Sequence, residues 1–414
     1  MKVALLGFGT VGQAVARILR DTPGITLTHV FNRHVARKRA DWVPASVGWT
    51  ESFDTVLDAR PDIVVEVIGG RDPAGSYVRR ALAAGCHVVT ANKQLLAHEG
   101  SDLLAAAARA GRRLAFEASV AGGIPVIRGI REGLAGDQLV RVSGILNGTC
   151  NYILTRMESA GLGFEDALAE ARERGFAEAD PTDDLDGYDA RAKLCILARV
   201  ALRRDLHPDT VSCRSIRPIT DVDFVYARRL GCTIRQVSRV ELDDQRDSVT
   251  AFVRPALVRD ESPLSRVQRN QNLVVTTGRA GGDTGFSGFG AGGGPTAVAV
   301  VSDVLAIASD GAGVAAAGTP VTVPATITDR CPAPYYLRFV VHDRPGIVAA
   351  LATELAAQGI NIDALLQEPA RDKAALPFVV TLEECDPEDL GRALERIARM
   401  DFHKDPPLAM PVLS

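Results

Sequence analysis

Six carboxylates fall within twelve residues: Glu178, Asp180, Asp183, Asp184, Asp186 and Asp189. Such a run is usually a solvated face. It does not suit a calcium loop of the EF-hand kind. With Gly187 as the sixth loop position, the twelfth is Lys193, where a bidentate Glu is required. The helix after Gly187 is more informative. At helical pitch Asp189, Lys193, Ile196, Leu197 and Val200 share one face. Asp189 and Lys193 stand at i and i+4, so they can touch. They lie on the apolar stripe, where an ion pair pays a desolvation cost unless well compensated. A partly buried lysine shifts its pKa readily, which suits proton transfer. The alternative is a lysine with a buried stem and a solvated head.

A second constellation opens the chain. Gly7-Phe8-Gly9-Thr10-Val11-Gly12 is a G-x-G-x-x-G string between an apolar run and a helical pattern. The first Gly permits the tight turn, the second lets backbone approach a pyrophosphate, and the third allows close helix–strand packing. The helix N-terminus adds free N–H groups and partial positive charge. An NAD site usually has an acid about 20 residues further on, for the ribose 2′-hydroxyl. Here Asn32-Arg33-His34 stands at that distance, with Arg37, Lys38 and Arg39 close by. Arg33 is the best candidate for a 2′-phosphate, so NADP(H) is favoured over NAD(H). The alternative is a solvated basic loop.

Lys93 follows the strand His87–Thr90, at the sheet edge where doubly wound folds bind ligands. A surface lysine is the alternative there. Glu117 ends the next strand and precedes a loop of small residues, Ala118–Pro125. Carbonyls of that loop, with the carboxylate, are a candidate site for a hard cation.

These residues need elements to position them. Val3–Leu6, Ile25–Phe31, Ile63–Ile68, His87–Thr90 and Arg113–Glu117 read as strands. Helical patterns run to about Arg20 and over Ala74–Ala84 and Leu95–Ala110. The alternation predicts a parallel sheet with helices on both faces, a Rossmann-type nucleotide domain over 1–130. Residues 131–294 mix strands with longer helices, an α+β substrate and dimerisation domain. An apolar helix over 295–310 is expected to rejoin the first domain. Residues 311–334 are rich in Gly, Ala, Thr and Pro and read as a linker. Residues 335–414 show strand (Tyr336–Val341), helix (Ile347–Gln358), two strands and helix (Pro387–Arg399), a small α+β module. The fold class is α/β with two α+β additions.

The chain has 414 residues, 46% apolar and 24% charged, with a formal net charge of −4. Disorder as the main state is excluded, because there is enough apolar surface for real cores. No global basic field recruits nucleic acid. Seven cysteines without CxxC spacing argue against a disulfide scaffold and a structural zinc. The start reads as a strand, not a signal peptide, and no run of apolar residues is long enough to cross a membrane. A cytoplasmic location is expected.

With these motifs in view, the sequence resembles homoserine dehydrogenase over nearly its whole length. The resemblance rests on Gly7–Gly12, Ile68-Gly69-Gly70, Thr90-Ala-Asn92-Lys93, Glu117–Pro125, Asn147–Met157, Gly175–Lys193 and Gly288–Ala297, in that order. It implies interconversion of L-homoserine and L-aspartate 4-semialdehyde with NAD(P)H, in threonine, methionine and isoleucine biosynthesis. Lys193 then matches the proton donor to the carbonyl oxygen, and Lys93 a second active-site lysine near nicotinamide and substrate. Glu178 matches the binder of the substrate ammonium. Asp184 and Asp189 match carboxylates that hold substrate or orient the lysine. Beside these matches, Asn147, Gly148 and Thr149 are expected to add polar contacts at the start of a helix. Phe8, Thr10, Val11, Ile68, Gly69 and Gly292 match cofactor contacts. Glu117, with the carbonyls of Val120, Gly122 and Ile124, matches a sodium site.

The tail resembles an ACT domain, with Asp343-Arg344-Pro345-Gly346-Ile347 between its first strand and helix. Such domains pair and bind amino acids, which implies threonine as effector and a homodimer or homotetramer. Two rivals are another NADP-dependent amino-acid dehydrogenase on this scaffold and a non-catalytic amino-acid sensor. Glu178, Asp184, Asp189 and Lys193 in register argue against the first. An intact lysine and an intact Gly motif argue against the second.

Overall fold

The computed structural model describes residues 1–243, 248–309, 322–368 and 373–413. Its N-terminal sheet has six parallel strands: β1 (Lys2–Leu6), β2 (Thr26–Phe31), β3 (Gly48–Thr50), β4 (Ile63–Glu66), β5 (His87–Thr90) and β6 (Leu114–Ala115). Their order is β3-β2-β1-β4-β5-β6. The strand order reverses between β1 and β4, which opens a crevice at the carboxyl ends of those strands. Helices α1 (Thr10–Arg20), α2 (Ala74–Ala83) and α3 (Lys93–Arg109) connect strands of this sheet.

The sheet departs from expectation at both edges. Strand β3 has no counterpart in the sequence reading, because three residues carry no readable periodicity. The strand expected over Arg113–Glu117 shrinks to Leu114–Ala115, and Glu117 instead opens a 3₁₀ turn, Glu117–Ser119.

The sheet's two faces are covered by different parts of the chain. Helix α7 (Gly293–Ser309) lies on one face with α1, packing Ala297, Val300, Val301, Val304 and Ile307 among Val3, Leu5, Val15 and Leu19. The other face runs into a larger core that also contains Ala190, Leu194 and Leu197 of helix α5 (Tyr188–Leu197). Near-continuous apolar strands are what burial on both faces demands.

Antiparallel strands form the second sheet: β7 (Leu139–Ile145), β8 (Cys232–Asp243), β9 (Ser248–Arg259), β10 (Gln271–Gly278) and β11 (Gly282–Phe289). The C-terminal region contributes β12 (Ala333–Val341), β13 (Ile362–Leu366), β14 (Leu376–Cys385) and β15 (His403–Leu413), with helices α8 (Ile347–Ala356) and α9 (Pro387–Ile397). Strand β15 goes beyond the expected elements. Pro406, Pro407 and Pro411 argue against a strand, since proline cannot donate to a ladder. The fold tolerates them because β15 pairs with β12 along most of its length and meets β9 only at Val412 and Leu413. That short contact makes the two sheets continuous.

The segment read as a linker over 311–334 lies partly outside the described residues. Its described part is paired: Val323–Pro324 with Arg204–Asp205, and Thr326–Thr328 with Ser248–Thr250 of β9. Tyr336, Val379 and Met410 of the C-terminal region share a core with Tyr152, Leu154, Phe224 and Leu257. The tail is therefore joined to the second sheet by a common core. Among the described residues no helix is long and apolar enough to cross a membrane.

Candidate active site

The nucleotide end is built by glycines at positions that admit little else. Gly7 has φ +101°, and a Cβ there would meet the Val67 carbonyl at 2.8 Å. A Cβ on Gly12 would lie 2.2 Å from the Gly7 carbonyl oxygen. Gly9 faces open space. The first and third glycines are thus fixed by packing, and the second is free to admit a ligand against the backbone. Phe8 is fully buried, between Trp42 and Trp49. Arg33 is exposed just beyond β2, with Asn32 holding the turn by accepting from the His34 amide at 3.0 Å. The residues present fit a dinucleotide at this crevice.

Two lysines from different parts of the chain meet at one carboxylate. Lys193 Nζ donates to Asp189 Oδ2 at 2.7 Å and to the Leu146 carbonyl at 2.7 Å. Lys93 Nζ stands 2.5 Å from Asp189 Oδ1. Both lysines line a cleft of about 260 Å³ with Val11, Ile68, Gly69 and Gly292. Helix α4 (Gly148–Ala160) starts beside them. Its N-cap, Asn147, accepts from the Cys150 amide at 2.8 Å. The same side chain donates to Asp184 at 2.6 Å and to Asp189 at 2.9 Å. A helix cap thereby doubles as the bridge between two acids.

Charge follows from this placement. Burial alone would raise the Asp189 carboxyl, but Lys193 and Lys93 outweigh it and hold it well below the usual carboxylate range. Burial pushes the Lys193 ammonium below the ordinary lysine range, with Lys93 adding to the effect and Asp189 opposing it. Lys93 goes the other way, raised chiefly by Asp189. The lysine side chains are 40% exposed at Lys93 and 10% at Lys193, which is why only the second has its proton loosened. Burial raises Asp184, and neighbouring Asp189 adds to the rise.

The lysines are held from behind. Arg199, past the end of α5, donates to the Leu96 carbonyl at 2.8 Å and Ser101 Oγ at 3.1 Å, both on α3. It also pairs with Asp205 at 2.6 Å. This buried arginine ties the helix that begins at Lys93 to the one that carries Lys193.

Other expected site residues lie less centrally. Glu178 is exposed, in the loop after Gly175, away from the lysine pair's hydrogen bonds. Thr149 Oγ1 anchors that loop by donating to the Phe176 carbonyl at 2.8 Å. Gly148 has the Asn270 carbonyl 2.9 Å from its Cβ position, so close backbone approach explains it. Asn147 has a larger part than the sequence reading assigns to it. Its cap position before a helix is the signal that points there.

The Glu117 loop differs from expectation in one respect. The carboxylate accepts from the Ile127 and Arg128 amides at 2.7 and 2.8 Å, so both oxygens already serve the chain. Its amide donates to Asp303 of α7 at 2.8 Å. Burial pushes Asp303 up to about 7. Ala121 and Gly122 have positive φ, which turns the loop sharply. Among the described residues no cluster of His, Cys, Asp and Glu could hold a metal ion.

A Rossmann crevice facing a buried, charge-paired lysine defines an NAD(P)-dependent oxidoreductase acting on a CH–OH group. The chain matches the family models "Homoserine dehydrogenase, NAD binding domain" over residues 7–117, "Homoserine dehydrogenase" over 125–305 and "ACT domain" over 335–402. It belongs to the homoserine dehydrogenase family. It is 37% identical to the homoserine dehydrogenase of Bacillus subtilis, over 92% of this chain and 90% of that protein. It is 36% identical to that of Synechocystis sp., over the whole of both chains. The solved homoserine dehydrogenase of Thiobacillus denitrificans superposes with a TM-score of 0.91 at 32% identity, covering 100% of this chain and 98% of that one. A hyperthermophilic archaeal homoserine dehydrogenase in complex with NADPH gives 0.63 at 27% identity, over 75% of this chain and 98% of its own.

Proposed function

We propose that the protein interconverts L-homoserine and L-aspartate 4-semialdehyde, with NADP(H) preferred over NAD(H). The observation that carries this is Lys193, buried at the cleft beside Gly69 and Gly292 and paired with Asp189. When bound, the nicotinamide supplies or takes up the hydride. Negative charge grows on the aldehyde oxygen in reduction, and a positioned ammonium stabilises and protonates it. Two of the Lys193 donors are held by Leu146 and Asp189. The third is available to the substrate oxygen. Lys93 adds a second positive charge at the same cleft, which favours an oxyanion there. In oxidation the neutral Lys193 takes the hydroxyl proton, and its lowered pKa eases that role.

Glu178 is the carboxylate assigned to the substrate ammonium, and Asp184 and Asp189 are assigned to holding substrate or orienting the lysine. Arg33, at the end of β2 with no acid in place, is assigned to the ribose 2′-phosphate. Glu117, with the carbonyls of Val120, Gly122 and Ile124, is assigned to a monovalent cation, sodium. The ACT region is assigned to threonine as feedback effector, in a homodimer or homotetramer, and the enzyme to the cytoplasm. The test is homoserine-dependent reduction of NADP⁺ and NAD⁺, followed at the nicotinamide absorbance with and without threonine. Turnover faster with NADP⁺ and slowed by threonine is expected. Folded protein without turnover would sink the assignment.

A further inference from the structure

Glu66 ends β4 and is completely buried. None of the proton and hydride chemistry of the cleft uses it. Its Oε1 accepts from the Ile68 amide at 2.8 Å and the Gly69 amide at 3.2 Å. Its Oε2 accepts from Thr90 Oγ1 at 2.6 Å, across the sheet on β5. Thr90 Oγ1 in turn accepts from the Asn92 amide at 3.0 Å. Asn92 Nδ2 donates back to the Gly70 carbonyl at 2.6 Å, and Asn92 Oδ1 caps α3 by accepting from the Leu95 amide at 3.1 Å. The bonds close a ring that joins the loop after β4 to the loop after β5.

Both loops line the cleft, one through Ile68 and Gly69, the other through Asn92 and Lys93. Gly69 and Gly70 have φ +81° and +73°, so the first loop turns sharply out of strand geometry after β4. A buried carboxylate is costly unless its oxygens are satisfied. A purely apolar residue would fill the space between β4 and β5 at no such cost. What the carboxylate adds is two acceptors in fixed directions, one for each loop. We infer that Glu66 is a positioning residue, which through Thr90 and Asn92 sets the cofactor-facing loop and Lys93 in one geometry. The inference rests on the proposed reaction at this cleft and adds a residue that acts through others.

The experiment uses the full chain with homoserine and NADP⁺, comparing wild type with Glu66→Gln, Thr90→Val and Thr90→Ser. Melting temperature is read in parallel, and NADPH affinity by fluorescence titration. Misplacement of the reacting groups by about an ångström is expected to lower kcat about 10-fold to 10²-fold in Thr90→Val. The Km for NADP⁺ is expected to rise with it, and Thr90→Ser, which keeps the hydroxyl, is expected to restore both. Glu66→Gln should weaken NADPH binding, because one oxygen becomes a donor facing Thr90. A Thr90→Val enzyme with lowered melting temperature but unchanged kcat and Km would reduce Glu66 to a structural role and overturn the inference. Should wild type itself not turn over homoserine, the functional reading fails separately. The NADPH titration still decides: weaker binding in both Glu66→Gln and Thr90→Val sustains the ring as a positioning device, and unchanged binding overturns it.

Discussion

Two buried ion-pair networks serve different regions of this molecule. At the cleft, Asp189 faces two ammonium groups, Lys93 and Lys193. At the junction with the C-terminal region, Asp223 of helix α6 (Asp221–Arg229) faces one guanidinium, Arg338 of β12, at 2.5 Å. There Tyr336 also donates to Asp223 at 2.8 Å, and Arg338 reaches Thr220 at 2.6 Å and the Pro218 carbonyl at 3.0 Å. At the cleft one carboxylate is shared between two lysines, with Asp184 held beside it by Asn147. The junction matches charge with charge and gives both Asp223 oxygens a partner. On the proposed reading, burial of charge serves chemistry in the first case, and in the second it fixes how the C-terminal region packs. A Lys head suits the first because it gives up a proton readily, whereas Arg stays charged and forks across several acceptors.

The strongest break of this comparison removes the loosened proton. Lys193→Ala is expected to lower kcat by about 10²–10⁴-fold, the usual worth of a positioned acid–base group. NADPH affinity should stay nearly as in wild type, checked by fluorescence titration. Unchanged turnover would remove Lys193 as proton donor.

At the junction the loss should appear in stability instead. Asp223→Ala leaves Arg338 buried without its partner, and breaking such a pair costs about 3–5 kcal/mol. Denaturant unfolding of the full chain measures it. A folded variant should keep its kcat, and a large kcat loss at unchanged stability would erase the distinction between the two networks. Truncation at residue 335 is a poorer probe, since it also strips β15 from β9 and opens the shared core around Tyr336 and Met410.

A finer test uses pH. The Lys193 ammonium titrates below its ordinary range, so aldehyde reduction should fall, and homoserine oxidation rise, as pH rises through that lowered pKa. Asp189 opposes the lowering. Asp189→Asn removes a negative charge, disfavours the ammonium and should move both limbs to lower pH. A shift to higher pH in the kcat profiles would contradict the assigned electrostatics.

The smallest effect belongs to an exposed charge. Arg33 is solvated, so its pairing with a 2′-phosphate is screened. Arg33→Ala should lower the NADP⁺ to NAD⁺ preference by about tenfold or less, read as a ratio of kcat/Km values. No change in the ratio would return Arg33 to a solvated basic loop.

Much of the nucleotide end is legible in the chain itself. The Gly7–Gly12 string, the β5 strand and the start of α1 depend on local backbone demands, which single residues declare. Helix α3 begins at Lys93 rather than Leu95 because Asn92 caps it, a local signal open to reading. The C-terminal strand β15 is hidden because its prolines forbid what only a half-paired edge permits. The partners of the Glu117 side chain are hidden in the sequence, because the amides of Ile127 and Arg128 reach the carboxylate only once the loop has folded over it.

By itself, the sequence determined the glycine turn, the helix that places Asp189 and Lys193 one turn apart, and the family. These are set by spacing along one element, and spacing is fixed by backbone geometry. Only the tertiary structure decided that Lys93 shares Asp189 with Lys193, that Asn147 bridges two acids, and that Glu66 ties two loops. Those meetings join residues distant in sequence, across strands, loops and helices that only folding brings together. The same packing decided the protonation behaviour of the lysines. A pKa depends on burial and on facing charges, and neither exists until the chain has closed around them.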